Sequence, residues 1–274
     1  MSKKILIVLS EWGYWGEELI GPLDAFDAAR YDVTFVTPKG RRPLALSASM
    51  DPNFIDPPLG RKVTTTEMAQ RVRELDQSDR LNHPKNLSEW LPEYPYWSVP
   101  QYLRELETYY RALSNVQADL AQYDLLLIVG GSGPIIDVAN NPRVHDLILS
   151  FYRMDKPIAA ICYGVTTLAF ARDLVERRSI IRGKHVTGHT KEDDYKDGTS
   201  FARTDFNMGV VPYPLEYILR DATGGAEYYH GNFGKPTSVI VDYPFITGRT
   251  TSDAELTGQK IVEVLEHGLR RYGW

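Results

Sequence analysis

The chemistry open to this chain starts from one thiol. Cys162 is the only cysteine in 274 residues, and it closes the apolar run Pro157-Ile158-Ala159-Ala160-Ile161 just before Tyr163-Gly164-Val165. The run is short and bounded by Lys156-Pro157, the pattern of a strand buried on both faces. Val165 to Arg172 then reads as a packed helix, with Gly164 as the residue that allows a tight turn. A cysteine at such a junction faces the unpaired N–H groups of a helix start, which favours thiolate over thiol. The plainer alternative is an inert, buried small hydrophobe.

Other groups able to serve that thiol lie at the ends of other apolar runs. Ile5 to Leu9 is followed by Ser10-Glu11-Trp12-Gly13-Tyr14-Trp15-Gly16-Glu17-Glu18, which offers two carboxylates at a helix start. Glu17 is expected to be a solvated dipole partner of that helix. Asp124 to Val129 ends in Gly130-Gly131-Ser132-Gly133-Pro134, where backbone N–H groups can approach a ligand as an oxyanion hole or phosphate nest. It is neither a P-loop nor a dinucleotide fingerprint. His185 and His189 fall on a short strand over 183–189 and would face the same side. Trp12, Tyr14, Trp15 and Tyr163 predict an aromatic-walled pocket, with Gly130 and Ser132 among its substrate contacts.

The elements that must position these groups alternate as strand and helix. Asp32 to Thr37 completes a βαβ unit with the first run, and further strands are predicted at Ser238 to Asp242 and Phe245 to Arg249. Helices are predicted over Thr66 to Leu75, Val99 to Leu113, Asn141 to Phe151, Pro214 to Leu219 and Asp253 to Leu269. The reading is one domain over 1–274, with an inserted excursion at about 41–115. The excursion holds the aromatic stretch Trp90 to Tyr110, suited to a substrate lid, a subunit contact or a satellite core. Residues 190–210 are polar and read as a loop able to close on the site. A net charge of −5 without a dense Lys/Arg cluster argues against nucleic-acid binding. The single cysteine fits a reducing compartment, and the first apolar run is too short for a signal peptide or membrane span, so a cytoplasmic location is expected.

Taken together, Lys4 to Leu9, Glu17-Glu18-Leu19 with Pro22, Phe35 to Gly40, Val129 to Gly133 and Ala160 to Gly164 resemble the ThiJ/PfpI superfamily of class I glutamine amidotransferase-like proteins. Val186-Thr187-Gly188 and Ile246 to Arg249 are similar to its larger chaperone and glyoxalase branch. The resemblance implies an α/β, flavodoxin-like three-layer sandwich with a mostly parallel sheet, a nucleophile elbow and a homodimeric state. It makes Cys162 the nucleophile, Glu18 its carboxyl partner, and the amides of Gly131 and Tyr163 the oxyanion donors. Hydrolase-like and glyoxalase members carry a histidine directly after the cysteine, where this chain has Tyr163, so His189 is the candidate substitute.

These readings converge on a cofactor-free, cysteine-dependent enzyme acting on a small electrophilic molecule by glyoxalase-like, hydratase or lyase chemistry. Acyl transfer ranks lower, for want of a base beside the thiol. The alternative from another class is a stress, redox-sensing or chaperone-like protein with an oxidisable Cys162. A metal site at His83, Glu89 and Glu93 has no diagnostic spacing. The expected partners are a small-molecule substrate and a second copy, with no nucleic acid and no membrane.

Overall fold

A computed structural model of the chain describes residues 2–98, 100–173, 175–194 and 214–274. In chain order it contains β1 (Lys4–Val8), α1 (Gly16–Ala29), β2 (Asp32–Thr37), β3 (Ile55–Asp56), β4 (Arg61–Lys62), α2 (Thr66–Gln77), β5 (Lys85–Asn86), α3 (Leu87–Trp90), α4 (Tyr102–Leu120), β6 (Leu125–Ile128), α5 (Pro134–Asp137), α6 (Pro142–Arg153), β7 (Ile158–Ile161), α7 (Val165–Phe170), α8 (Lys191–Asp194), α9 (Leu215–Thr223), β8 (Val239–Asp242), β9 (Phe245–Gly248), α10 (Ala254–His267) and β10 (Arg271–Tyr272).

The apolar runs become the middle of an eight-stranded sheet ordered β10-β8-β9-β7-β6-β1-β2-β5. Pairing is parallel from β9 through β7, β6, β1 and β2 to β5, and antiparallel at β8 and β10. Every residue of β6 and β7 is buried, because helices cover both faces. α1 and α10 pack together on one face, and α6 and α7 lie on the other with α4 and α9 against them. This is the mostly parallel, flavodoxin-like layering expected. It brings the C-terminal ends of β1, β6 and β7 side by side, the edge where open α/β sheets gather ligands.

Several elements differ from the sequence reading. The predicted strand over 183–189 does not form; Val186 makes only an isolated bridge to Tyr229. Side chains take the N–H groups a ladder would need: Asp242 accepts from His185 and Thr247 from Thr187. The helix predicted from Val99 to Leu113 instead spans Tyr102–Leu120, and Val99 itself lies outside the described residues. The excursion contributes β5 to the main sheet and a separate β3–β4 hairpin. In the aromatic stretch, Tyr109 is buried with its hydroxyl donating to Asp146 (2.6 Å) and its ring 5.0 Å from Tyr94. It therefore forms a satellite core over α6. Most of the loop expected at 190–210 lies outside the described residues; its first part is the turn α8.

Candidate active site

The sharp turn after β7 is made by the nucleophile candidate itself. Cys162 sits at φ 55°, in the left-handed region. A non-glycine residue there costs roughly 1–3 kcal/mol and persists only where its surroundings fix it. The sequence reading gave the tight turn to Gly164, which instead has φ −58°. Its lack of a side chain serves a close approach, since a Cβ would lie 2.7 Å from the Ile128 carbonyl oxygen.

Three other elements reach the sulfur. α1 carries Glu18, only 2% exposed, and its start is tied to the glycine loop by the Trp15 N–H donating to the Gly130 carbonyl (3.2 Å). Gly130 is glycine because a Cβ would stand 2.5 Å from Glu18 Oε2 and 2.7 Å from the Cys162 Cβ. Glu18, His189 and Gly131 line the same cavity as Cys162 and lie close enough to its thiol to act on its titration. Cys162 and Tyr163 are each 4% exposed.

Burial pushes Glu18 from 4.5 to about 8, so its carboxyl keeps its proton at neutral pH. Burial also pushes the Cys162 thiol up to about 11; a Glu18 charge adds to this, while His189 and the Gly131 N–H pull it down. The lowered thiol pKa expected from a helix start is thus opposed by desolvation. With Glu18 neutral, the like-charge part of the upward push is absent, and His189 is the group left to stabilise a thiolate. Burial alone would lower His189, but the Cys162 charge and its hydrogen bonds to Asp194 and Cys162 hold it well above an ordinary imidazole.

Asp194, which the sequence reading missed, completes the arrangement. His189 Nδ1 meets Asp194 Oδ1 at 2.8 Å, and the Tyr163 hydroxyl donates to the same oxygen at 2.5 Å. The Leu215 N–H holds the other oxygen at 3.1 Å. The Tyr163 ring lies 4.6 Å from the His189 ring. Cys162, His189 and Asp194 therefore lie in the order a nucleophile, a base and an orienting carboxylate would take. The only hint in the sequence was an acid five residues after a histidine, inside a Lys-Glu-Asp-Asp run that looked like solvated loop.

Glu18, Cys162 and His189 form the floor of a cavity of about 610 Å³, which Trp15, Ser132, Gly131 and Tyr163 also line, with Asp194 behind His189. Among the described lining residues, Ser132 Oγ, Trp15 Nε1, Glu18 Oε2 and Thr251 Oγ1 are buried without a hydrogen-bond partner. The other expected wall residues are elsewhere. Trp12 is 66% exposed, its N–H donating to Ser10 Oγ, and Tyr14 is wholly buried in the core. Neither lines the cavity, and Gly130 stands behind it. Of the aromatic run only Trp15 lines the cavity, and Tyr163 and Phe233 complete the aromatic wall. Glu17 is half-buried rather than solvated, and desolvation raises its pKa. His185 contacts His230 (Nδ1 to Nε2, 2.7 Å) and stacks on Trp274, away from the thiol. No residue of the aromatic stretch lines the cavity, so it is not a lid over it. Among the described residues no three His, Cys, Asp or Glu side chains converge as metal ligands, so His83, Glu89 and Glu93 do not make the site considered. No helix among them is long and apolar enough to cross a membrane.

A parallel sheet whose central strand ends in a cysteine at positive φ, beside a buried carboxyl, defines the α/β proteins with a nucleophile elbow. Within that class the chain belongs to the ThiJ/PfpI family: a profile described as ThiJ/PfpI family-like matches residues 9–197, more than half of its length. Over 146 residues it is 27% identical to a probable glutathione-independent glyoxalase of Schizosaccharomyces pombe, covering 53% of this chain and 54% of that protein. Over 144 residues it is 27% identical to an uncharacterised protein of Methanocaldococcus jannaschii, covering 53% of each. The chain thus spans about half the length of the curated relatives it matches. Two solved structures share the fold. Glyoxalase III of Candida albicans has a TM-score of 0.63 at 16% identity, over 97% of this chain and 98% of that one. The Francisella tularensis rapid encystment protein has 0.66 at 20% identity, over 96% and 99%.

Proposed function

We propose that this chain is a cysteine-dependent enzyme of glyoxalase-like chemistry. It adds the Cys162 thiolate to the aldehyde of an α-oxoaldehyde and releases a 2-hydroxy acid. The observation that carries this reading is that Glu18, His189 and Gly131 line one cavity with the buried Cys162 thiol. The glyoxalase named among the sequence relatives supports the substrate class.

The chain's own groups account for each step. His189, held by Asp194, takes the thiol proton. The Sγ–C bond forms as the carbonyl π pair moves to oxygen, beside the amides of Gly131 and Tyr163, and that oxygen receives the proton back from His189. Glu18, with a pKa of about 8, is matched to giving and taking a proton near neutrality. Its ionised form, in equilibrium near neutrality, removes the C–H proton of the hemithioacetal, giving an enediolate; the proton returns to the neighbouring carbon as the hydroxyl proton passes to that carbon's oxygen, giving a thioester. Water then cleaves the Sγ–C bond. One carbon is oxidised and its neighbour reduced, so the balance needs no external redox partner.

His189 with Asp194 is also a base suited to acyl transfer, which removes the physical reason for ranking that chemistry low. The Cys162 exposure of 4% favours a substrate-gated thiol over an openly oxidised one. The deciding experiment follows Cys162 alkylation by iodoacetamide against pH in the parent, Glu18→Ala and His189→Ala proteins, then turnover of methylglyoxal and phenylglyoxal. The reading expects His189→Ala to raise the apparent thiol pKa, Glu18→Ala to leave the thiol reactive while abolishing turnover, and the parent to yield 2-hydroxy acids. Hydrolysis of an amide or ester with no turnover of either oxoaldehyde would replace it with acyl transfer.

A further inference from the structure

The mouth of the cavity carries a charge pattern that this chemistry does not use. Arg61 and Lys62, on β4, and Lys235, in the turn after Phe233-Gly234, line the same cavity as Cys162 and are exposed. None of the three is in an ion pair among the described residues; Lys62 Nζ donates only to the neutral Asn53 (3.0 Å). Two carboxylates share the cavity and keep their charge through neutral hydrogen-bond donors. Asp56, opposite Arg61 across the hairpin, accepts the Leu59 N–H (2.9 Å), and Asp193 accepts from the Thr190 N–H and hydroxyl. Glu18 is neutral at pH 7. Arg249, a fourth cation of the wall, is already matched by Asp253 at 3.7 Å and by backbone carbonyls. Arg61, Lys62 and Lys235 therefore outnumber Asp56 and Asp193 at this mouth by three to two, with Asp56 already in electrostatic contact with Arg61, in a chain whose net charge is −5.

The interior repeats the bias. Ser132, 5% exposed, has an unpartnered hydroxyl, and Trp15 Nε1 is an unpartnered donor that can only be satisfied by an acceptor. A low-dielectric cleft with cations at its rim focuses their field and raises the local concentration of anions. At 610 Å³ the cavity also holds far more than a three-carbon oxoaldehyde.

We infer that the substrate carries an anionic group, a carboxylate or a phosphate, on the side away from its reacting carbonyl, and that Arg61, Lys62 and Lys235 hold this group at the cavity mouth. The inference rests on Cys162 as the nucleophile of the proposed reaction and specifies what that thiol meets. An acceptor-rich anion also supplies oxygen to Ser132 Oγ and Trp15 Nε1 along its path to the floor.

The test compares Cys162 alkylation by iodoacetate and by iodoacetamide, which differ in charge and share a leaving group. The ratio of the two rates cancels the thiolate fraction and reports the field alone. The expected ratio is about tenfold above that of a free small thiol, falling as salt is raised. In the Arg61→Gln/Lys62→Gln/Lys235→Gln protein it should fall to within about twofold of the free thiol. Competition against iodoacetate by inorganic phosphate or by acetate identifies which anion the mouth prefers. A parent ratio equal to that of the free thiol, or one unchanged in the triple variant, overturns the inference while leaving a reactive Cys162 standing. No alkylation by either reagent overturns the catalytic reading and this one with it.

Discussion

The floor and the mouth of the cavity are built by opposite rules. On the floor, Glu18 and Cys162, with Asp194 behind them, are each at most 4% exposed and sit among buried groups, Asp194 held by His189 and the Leu215 N–H. At the mouth, Arg61, Lys62 and Lys235 are exposed, unpaired by carboxylates, and carried on a hairpin and a turn outside the parallel core. Desolvation therefore governs the first group and long-range charge the second. The difference separates reaction from selection: the floor decides which bond is made, and the mouth decides which molecule arrives.

Breaking the floor is expected to have the largest effect. Cys162→Ser keeps the shape but replaces the thiolate by a poor nucleophile, and turnover should fall by at least about 10⁴-fold. Asp194→Asn leaves a hydrogen-bonding side chain beside His189 but removes the charge that holds the imidazolium. A loss of about 10²–10⁴-fold in kcat with little change in KM is expected. A KM effect alone would mean that Asp194 shapes the wall rather than the base.

The sequence made the floor legible where one strand end sufficed. The apolar run 157–161 announced a buried strand, so Cys162 at its end was visible as an elbow, and the glycine loop after β6 marked its neighbour. Asp194 was not legible, because its role depends on α9 folding back so that the Leu215 N–H and the Tyr163 hydroxyl fix it, neither of which spacing reveals. The mouth was illegible for a related reason. β3 and β4 are two residues each, too short for any periodicity, and face Cys162 from about 100 positions away. Trp12 and Tyr14 show the converse error. A run of aromatics beside the site was read as one wall, yet only Trp15 faces the cavity.

Glu18 tests the floor through stability rather than rate. Its carboxyl rises from 4.5 to about 8 on burial, so the folded protein holds this proton more tightly than the unfolded chain does. Its stabilising contribution is complete below pH 4.5 and is lost as pH rises through 8. A shift of that size corresponds to about 4–5 kcal/mol at most. Denaturant unfolding between pH 5 and 9 should show the parent losing several kcal/mol that Glu18→Gln does not lose. Equal slopes for the two proteins would place an ionised Glu18 beside the thiol. Tyr163→Phe should act more gently. Without the phenol, Asp194 is a stronger acceptor for His189, so the His189-dependent limb of the alkylation profile moves to higher pH. The accompanying rate change should stay below about tenfold.

The smallest effects fall on the aromatic loop, and they separate a wall from a surface. Trp15→Phe keeps an apolar ring while deleting the Nε1 donor, whose partner must come from the substrate. KM should rise by about three- to tenfold, the worth of one hydrogen bond, with kcat little changed. Trp12→Ala, three residues earlier and 66% exposed, should leave both constants within about twofold. If Trp12→Ala instead raised KM as much as Trp15→Phe, the loop would have to turn toward the cavity when substrate binds. The aromatic wall expected from the sequence would then belong to the bound state.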